Sequence, residues 1–203
     1  MAVCDAEISS EISPEYLKEH LDMLNHATAV VVETNLMPEA LKFLAENCHV
    51  PIFADPVSVS KCHRILPVLG NLYGLKPNRL EAEALSGIQI KDEKSLQLAA
   101  ETLLKTGLKQ VYISLGAEGL FYADAKRSFL TPCIETTLVN STGGGDTMMA
   151  TIVLAFCMKL KAEEAVRLAL AASAICVEHS ETISPELSFE RVVKRSDLII
   201  SGE

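Results

Sequence analysis

The stretch Asn140-Ser141-Thr142-Gly143-Gly144-Gly145-Asp146 combines residue types suited to chemistry on an anion. Three consecutive glycines let the backbone approach a ligand closely. A long apolar run follows Asp146, so a helix is expected to begin here. Its first amides and its positive dipole end would point at the same spot. A phosphoryl group gaining charge in transfer fits that environment, with the amides of Gly143, Gly144 and Gly145 as the anion hole. Asp146, in the first turn, is placed to accept a proton from an attacking hydroxyl. The plainer reading is a glycine-rich turn with Asp146 as an ordinary cap. No Gly-Lys-Ser/Thr follows, so this is not a P-loop, and the Gly-x-Gly-x-x-Gly spacing of dinucleotide sites is absent.

Chemistry of this kind needs a scaffold, and the rest of the chain reads as one. Ser13-Pro14 is an N-cap and first helical position, opening a helix with Leu17, Leu21 and Leu24 on one face. The β-branched run Thr28–Val32 has the character of a strand covered on both faces. A helix from about Pro38 to Asn47, a strand Pro51–Ala54, a helix Lys61–Leu69 and a strand Leu72–Leu75 follow. Helices are expected over about Arg79–Ser86 and Glu93–Thr106, the second stopped by Gly107. Then come a strand Val111–Leu115 and a hairpin of Leu120–Ala123 with Ser128–Thr131 around the polar tip Asp124–Arg127. A strand is expected before Asn140. The apolar helix after Asp146, another over Ala162–His179 and a short one in the tail complete the chain. This alternation implies an α/β fold: one domain over residues 1–203, with a mostly parallel sheet and helices on both faces.

Ligands of such sheets bind beyond the carboxyl ends of the strands. Four polar or glycine-rich segments fall there: Asp55–Ser60, Lys76–Glu81, Ser114–Gly119 and Asn140–Asp146. They are expected on one rim. Asn78 and Glu81, one helical turn apart, face one side and can orient Mg2+ through water. The alternative is a helix cap at Asn78 with Glu81 exposed. Lys61 reads as a solvated lysine rather than a phosphate ligand.

Composition narrows the partners. The 203 residues are 49% hydrophobic and 22% charged, which excludes a disordered chain. The net charge of −9 lacks the basic stripe that a nucleic acid polymer requires, while a nucleotide-sized ligand stays open. No apolar run approaches the roughly 20 residues needed to span a membrane. Six cysteines, at 4, 48, 62, 133, 157 and 176, show neither Cys-x-x-Cys nor zinc spacing. Reduced thiols and the absence of a secretory signal at the amino terminus imply an intracellular, cytoplasmic protein, with a mitochondrial location open.

The motifs resemble those of the ribokinase-like (PfkB) carbohydrate kinases, whose signature has the form Asp/Asn-Thr-x-Gly-Ala-Gly-Asp. Asn140, Thr142, Gly143, Gly145 and Asp146 match it, with Gly144 at the usual alanine. Lys76-Pro77-Asn78 with Glu81 resembles the family's Asn-x-x-Glu segment, which organises magnesium and phosphates. Ser114-Leu115-Gly116-Ala117-Glu118-Gly119 resembles the nucleotide-holding loop, so Ser114, Gly116, Gly119 and Asn78 are implied to bind ATP. Ala169–Ala174 resembles the helix beside adenine. The resemblance places Asn140 and Thr142 at the family's monovalent-cation site, where asparagine lacks the usual charge, which argues against activation by potassium. Within the family, Asp55–Lys61 and Asn35–Leu41 look most like pseudouridine kinases.

What the resemblance implies is ATP-dependent transfer to the 5′-hydroxyl of a ribosyl nucleoside, with Asp146 as base and ATP and Mg2+ as cofactors. The matched pattern is the carboxyl-terminal two thirds. The initial βαβ unit, the sugar-gripping glycine segment and the lid have no counterpart, except that residues 2–7 resemble a remnant strand. Thr151 stands at a usually small position. Two readings therefore compete. One is a kinase acting on a nucleoside or on another sugar such as ribose. The other is a silent truncated isoform that binds nucleotide, forms a homodimer or pairs with a full-length chain.

Overall fold

A computed structural model describes residues 7–197. Its α-helices are α1 (Pro14–Asn25), α2 (Pro38–Asn47), α3 (Val59–Cys62), α4 (Arg79–Ser86), α5 (Glu93–Leu104), α6 (Gly144–Cys157), α7 (Ala162–Val177) and α8 (Phe189–Asp197). Its strands are β1 (Val30–Glu33), β2 (Ile52–Asp55), β3 (Gly74–Leu75), β4 (Gln110–Ser114), β5 (Leu120–Asp124) and β6 (Ser128–Thr131). Hydrogen bonding orders them β1-β2-β3-β4-β5-β6 in one sheet. The first four run parallel, with Val30 opposite Ile52, Phe53 opposite Gly74 and Gly74 opposite Gln110. The expected α/β architecture is present. Among the described residues, no helix is long and apolar enough to cross a membrane.

The residues fall into two compact units, one reaching to Ser114 and including Ala123–Ser128, the other comprising Leu115–Tyr122 and everything from Phe129. The first unit is built from strand–helix repeats. Ser13 caps α1 by accepting from the Tyr16 amide, as the Ser-Pro pair predicts. Phe53, Ile65, Leu69, Leu75, Val111 and Ile113 are almost wholly buried. Each such side chain contributes about 1.5–3 kcal/mol relative to exposure. The second unit is organised by α6 packed on α7, with α8 closing an apolar cluster of Leu168, Ala171, Ala172, Ile175 and Val192.

Several expectations need correction. The segment after β2 is not one α-helix over 61–69. It is the single turn α3 followed by a 3-10 stretch, His63–Asn71, because Pro67 inside it has no amide to donate. Strand β3 shrinks to two residues. No strand leads directly into Asn140; 132–140 run as irregular chain, held by the amides of Val139 and Asn140 on the Val177 carbonyl. Strand β1 is not covered on both faces, since Val31 is 51% exposed. Residues 2–6, most of the resemblance to a remnant strand, lie outside the described residues.

Candidate functional site

In the first unit the carboxyl ends of β2 and β3 carry a buried charge cluster. Asp55 ends β2, and Lys76 follows β3. Lys76 Nζ lies 2.8 Å from Asp55 Oδ2, with side chains 6% and 16% exposed. The other oxygen, Oδ1, accepts from the Val57 amide at 3.0 Å. That bond helps hold Val57 at φ 60°, a left-handed conformation costly for a β-branched residue. The turn after β1 is tied down beside this. Arg64 donates to the carbonyls of Thr34 and Asn35, and Lys61 Nζ donates to Asn35 Oδ1 at 2.6 Å. Lys61 therefore spends its charge on a loop rather than in solvent.

Asn78 and Glu81 hold each other. Asn78 Oδ1 accepts from the Glu81 amide, and Glu81 Oε2 accepts from the Asn78 amide, both at 2.9 Å. This reciprocal cap opens α4. The cap reading of Asn78 is correct, but Glu81 is not exposed as that reading had it: it is 2% accessible. Burial raises its pKa above the ordinary glutamate range. The Asp55 charge adds to the rise, while the capping bonds and Lys76 oppose it. Ser114, at the end of β4, pairs beside Asn78 and donates its amide to the Pro77 carbonyl. Asn78, Glu81 and Ser114 thus come together, as their strand-end positions predict. Asp55 and Lys76 were legible only as members of polar segments. The missed signal is an acid and a lysine directly abutting apolar strands.

The second unit holds the glycine-rich segments. Gly116 has φ 60°, and Gly119 has φ 114° with its backbone against β6: an added Cβ would lie 2.0 Å from the Thr131 carbonyl oxygen. The Leu115 amide donates to the Gly119 carbonyl, closing a tight loop. Gly143 is the residue before α6, at φ 86°, where a Cβ would meet the Thr182 carbonyl oxygen at 1.9 Å. Gly144 packs under Val177, whose methyl would be 2.8 Å from its Cβ.

Beyond that glycine turn, the amino end of α6 has no side-chain cap. Its first amides therefore lack the acceptors that a capped helix provides. Asp146 stands exposed in this turn. Asn140 is committed to the loop: its Oδ1 accepts from the Thr142 amide, and its Nδ2 donates to the Ser180 carbonyl at 2.9 Å. Thr151 turns its hydroxyl onto the Thr147 carbonyl, one turn back. Asp146 and Gly143 also border a cleft of about 420 Å3 lined chiefly by apolar groups of α6, residues 182–188 and α8. Among the described residues, no group of three or more His, Cys, Asp or Glu side chains forms a metal cage.

Known proteins share the fold of this chain. The chain is 35% identical over 195 residues to the pseudouridine kinase of Escherichia coli, covering 95% of this chain and 62% of that protein. Its fold matches a putative sugar kinase from Clostridium perfringens with TM-score 0.84 and 29% identity, over 91% of this chain and 58% of the other. It also matches the Arabidopsis thaliana ribokinase complexed with ribose and ATP, with TM-score 0.80 and 23% identity, over 88% and 58% of the two chains. The chain thus spans about three fifths of the length of these relatives. The pfkB family carbohydrate kinase pattern matches residues 3–188, and the chain belongs to that family.

Proposed function

We propose that this chain carries the phosphoryl-transfer machinery of an ATP-dependent kinase, and that its acceptor is the 5′-hydroxyl of a ribosyl nucleoside, pseudouridine first. The observation that carries the reading is the start of α6: an uncapped helix end behind a glycine turn, with an exposed carboxylate in its first turn. The acceptor hydroxyl attacks the γ-phosphorus of ATP, the bond to the β,γ-bridging oxygen breaks, ADP leaves, and the hydroxyl proton passes to Asp146. The amides of Gly143, Gly144 and Gly145 stabilise the charge on the transferring group. Ser114, Gly116 and Gly119 hold the nucleotide. The residues 1–203 act as one kinase domain.

The donor set suits magnesium that arrives with phosphate and water ligands. Glu81 is one buried carboxylate with its rotamer fixed by the cap, not part of a closed cage. Bound there, Mg2+ would neutralise charge on the β- and γ-phosphates. Asn78 and Glu81 would hold it. Asn140 is neutral and has its amide engaged at both ends, which suits its side chain poorly to potassium. The 35% identity to a pseudouridine kinase supports the substrate, with ribose as the alternative sugar.

A second reading is favoured by the open cleft beside Asp146: nucleotide binding without turnover. ADP release with Mg-ATP and a nucleoside panel headed by pseudouridine decides between them, with Asp146→Asn as control. Nucleoside-dependent release that vanishes in the control supports the kinase. ATP binding without release supports the silent form.

A further inference from the structure

Among the described residues, the non-glycines with positive φ are Lys159, at 57°, and Val57, at 60°. Lys159 follows the end of α6, where a left-handed residue commonly stops a helix. No helix ends at Val57, and its branched β-carbon makes the same backbone costly. Val57 is the centre of a three-residue turn, closed by the Ser58 amide on the Pro56 carbonyl at 2.6 Å. With positive φ at the centre, this is the rare and strained hand of that turn. It is held from three sides. Asp55 Oδ1 accepts from the Val57 amide, Lys76 fixes the other oxygen of Asp55, and the Thr34 hydroxyl donates to the Pro56 carbonyl. Strain persists only where the surroundings over-determine it, and it concentrates where a ligand is clamped. The turn leaves the valine side chain 42% exposed, while Pro56 beside it is buried. Glycine would form the same turn at no steric cost, so the turn alone does not account for a valine.

We propose that Val57 is a specificity-determining residue that packs its methyl groups against the base of the acceptor nucleoside. The inference rests on the kinase reading, which puts the nucleotide at Ser114 and its phosphates at Asn78 and Glu81. Ser114 ends β4, and Asn78 and Glu81 follow β3. Attack on the γ-phosphorus is in line, so the acceptor lies on the far side of the phosphates from ADP. The next strand on that side is β2, which ends at Asp55, two residues before Val57. Valine carries no hydrogen-bonding group beyond its backbone, and the hydroxyls of a ribose need polar partners. The face of the base is therefore the part of a nucleoside that the methyl groups suit. Free ribose has no such face, so contact at Val57 selects a nucleoside over the bare sugar.

The test is calorimetric titration with pseudouridine and with ribose, each in the presence of Mg-ADP, on the parent chain and three variants. Val57→Ala and Val57→Gly are expected to weaken pseudouridine binding about tenfold, the value of the lost methyl contacts. Binding of ribose and of Mg-ADP should stay at the parent's, and Val57→Ile should keep the parent's affinity for pseudouridine. Val57→Gly should also melt about 2–4 °C higher, because it relieves the strained backbone. Parental pseudouridine affinity in Val57→Ala overturns the proposal, as does an equal loss for ribose. So does a lower melting temperature in Val57→Gly, or a parent without affinity for the nucleoside. Failure of the kinase reading looks different. Binding with the expected selectivity but no ADP release sinks turnover and keeps this assignment. ADP release whose nucleoside KM is unchanged in Val57→Ala keeps the kinase and overturns the assignment.

Discussion

Helices α4 and α6 both begin at a polar segment, yet their first turns are built in opposite ways. At α4, Asn78 and Glu81 each accept from the other's amide, so two orphan donors are satisfied inside the chain. At α6, the residue before the helix is a left-handed glycine without a side chain, and among the described residues no side chain caps the turn. A capped end is a finished piece of structure. An end left open and locked in place by Gly143 against Thr182 has donors to spare, and donors held in advance are what a transferring phosphoryl group needs. The two helix starts thus divide into one that fixes side chains and one that presents backbone.

The largest expected effect tests whether α6 is the chemical half. Asp146→Asn in the active protein is expected to lower kcat by about 10²–10⁴, the range for loss of a general base. Stability should change by less than about 1 kcal/mol, since an exposed carboxylate in a first turn adds only a dipole interaction. A loss of stability that accounts for the loss of activity would make Asp146 a cap and erase the contrast. Next comes Gly143→Ala, which forces a Cβ into both a left-handed backbone and the Thr182 carbonyl. A destabilisation of about 3 kcal/mol is expected by denaturant titration, the strain of the backbone being compounded by the clash. A variant that loses under 1 kcal/mol would show that the glycine turn is free to rearrange.

How much of this was legible in the residues differs between the halves. The glycine run, the apolar helix after it and the strand-end position of Asn78 were readable, because glycine spacing and hydrophobic period are local signals. The pairing of Lys76 with Asp55 was not, because it joins residues 21 apart in sequence across neighbouring strands. Nor was the burial of Glu81, since one helical turn of spacing puts two side chains on a common face without saying whether that face meets solvent. Pro67 lies inside the expected helix Lys61–Leu69, and the apolar spacing around it does not say whether the turns are α or 3-10. The uncovered faces of β1 and α6 escaped because an apolar run implies cover without naming what supplies it.

Breaking the cap at α4 should have a smaller effect than breaking the glycine turn at α6. Asn78→Ala is expected to cost about 1 kcal/mol, the usual value of an N-cap. Calorimetric melting checks it. An accompanying rise in KM for Mg-ATP, with KM for the nucleoside unchanged, would show that the capping residue also serves the phosphates, and so sharpen the division rather than break it.

The smallest effect lies in the pH dependence of Glu81. Burial raises its pKa in the folded chain above that of an ordinary glutamate, so the native state binds more protons than the unfolded state through that window. Stability then falls as pH rises from the unfolded value through the folded one, opposite in sign to a carboxylate held by an ion pair. Glu81→Gln keeps an acceptor for the Asn78 amide, so the cap survives. It removes the charge, so the fall should disappear, and at neutral pH the variant should be at least as stable as the parent. The measurement is unfolding free energy against pH for the two proteins. A parent whose stability rises through this window would mean that Lys76, not burial, governs Glu81. The charge cluster at the ends of β2 and β3 would then be a shared ion pair instead of a pair beside a desolvated acid.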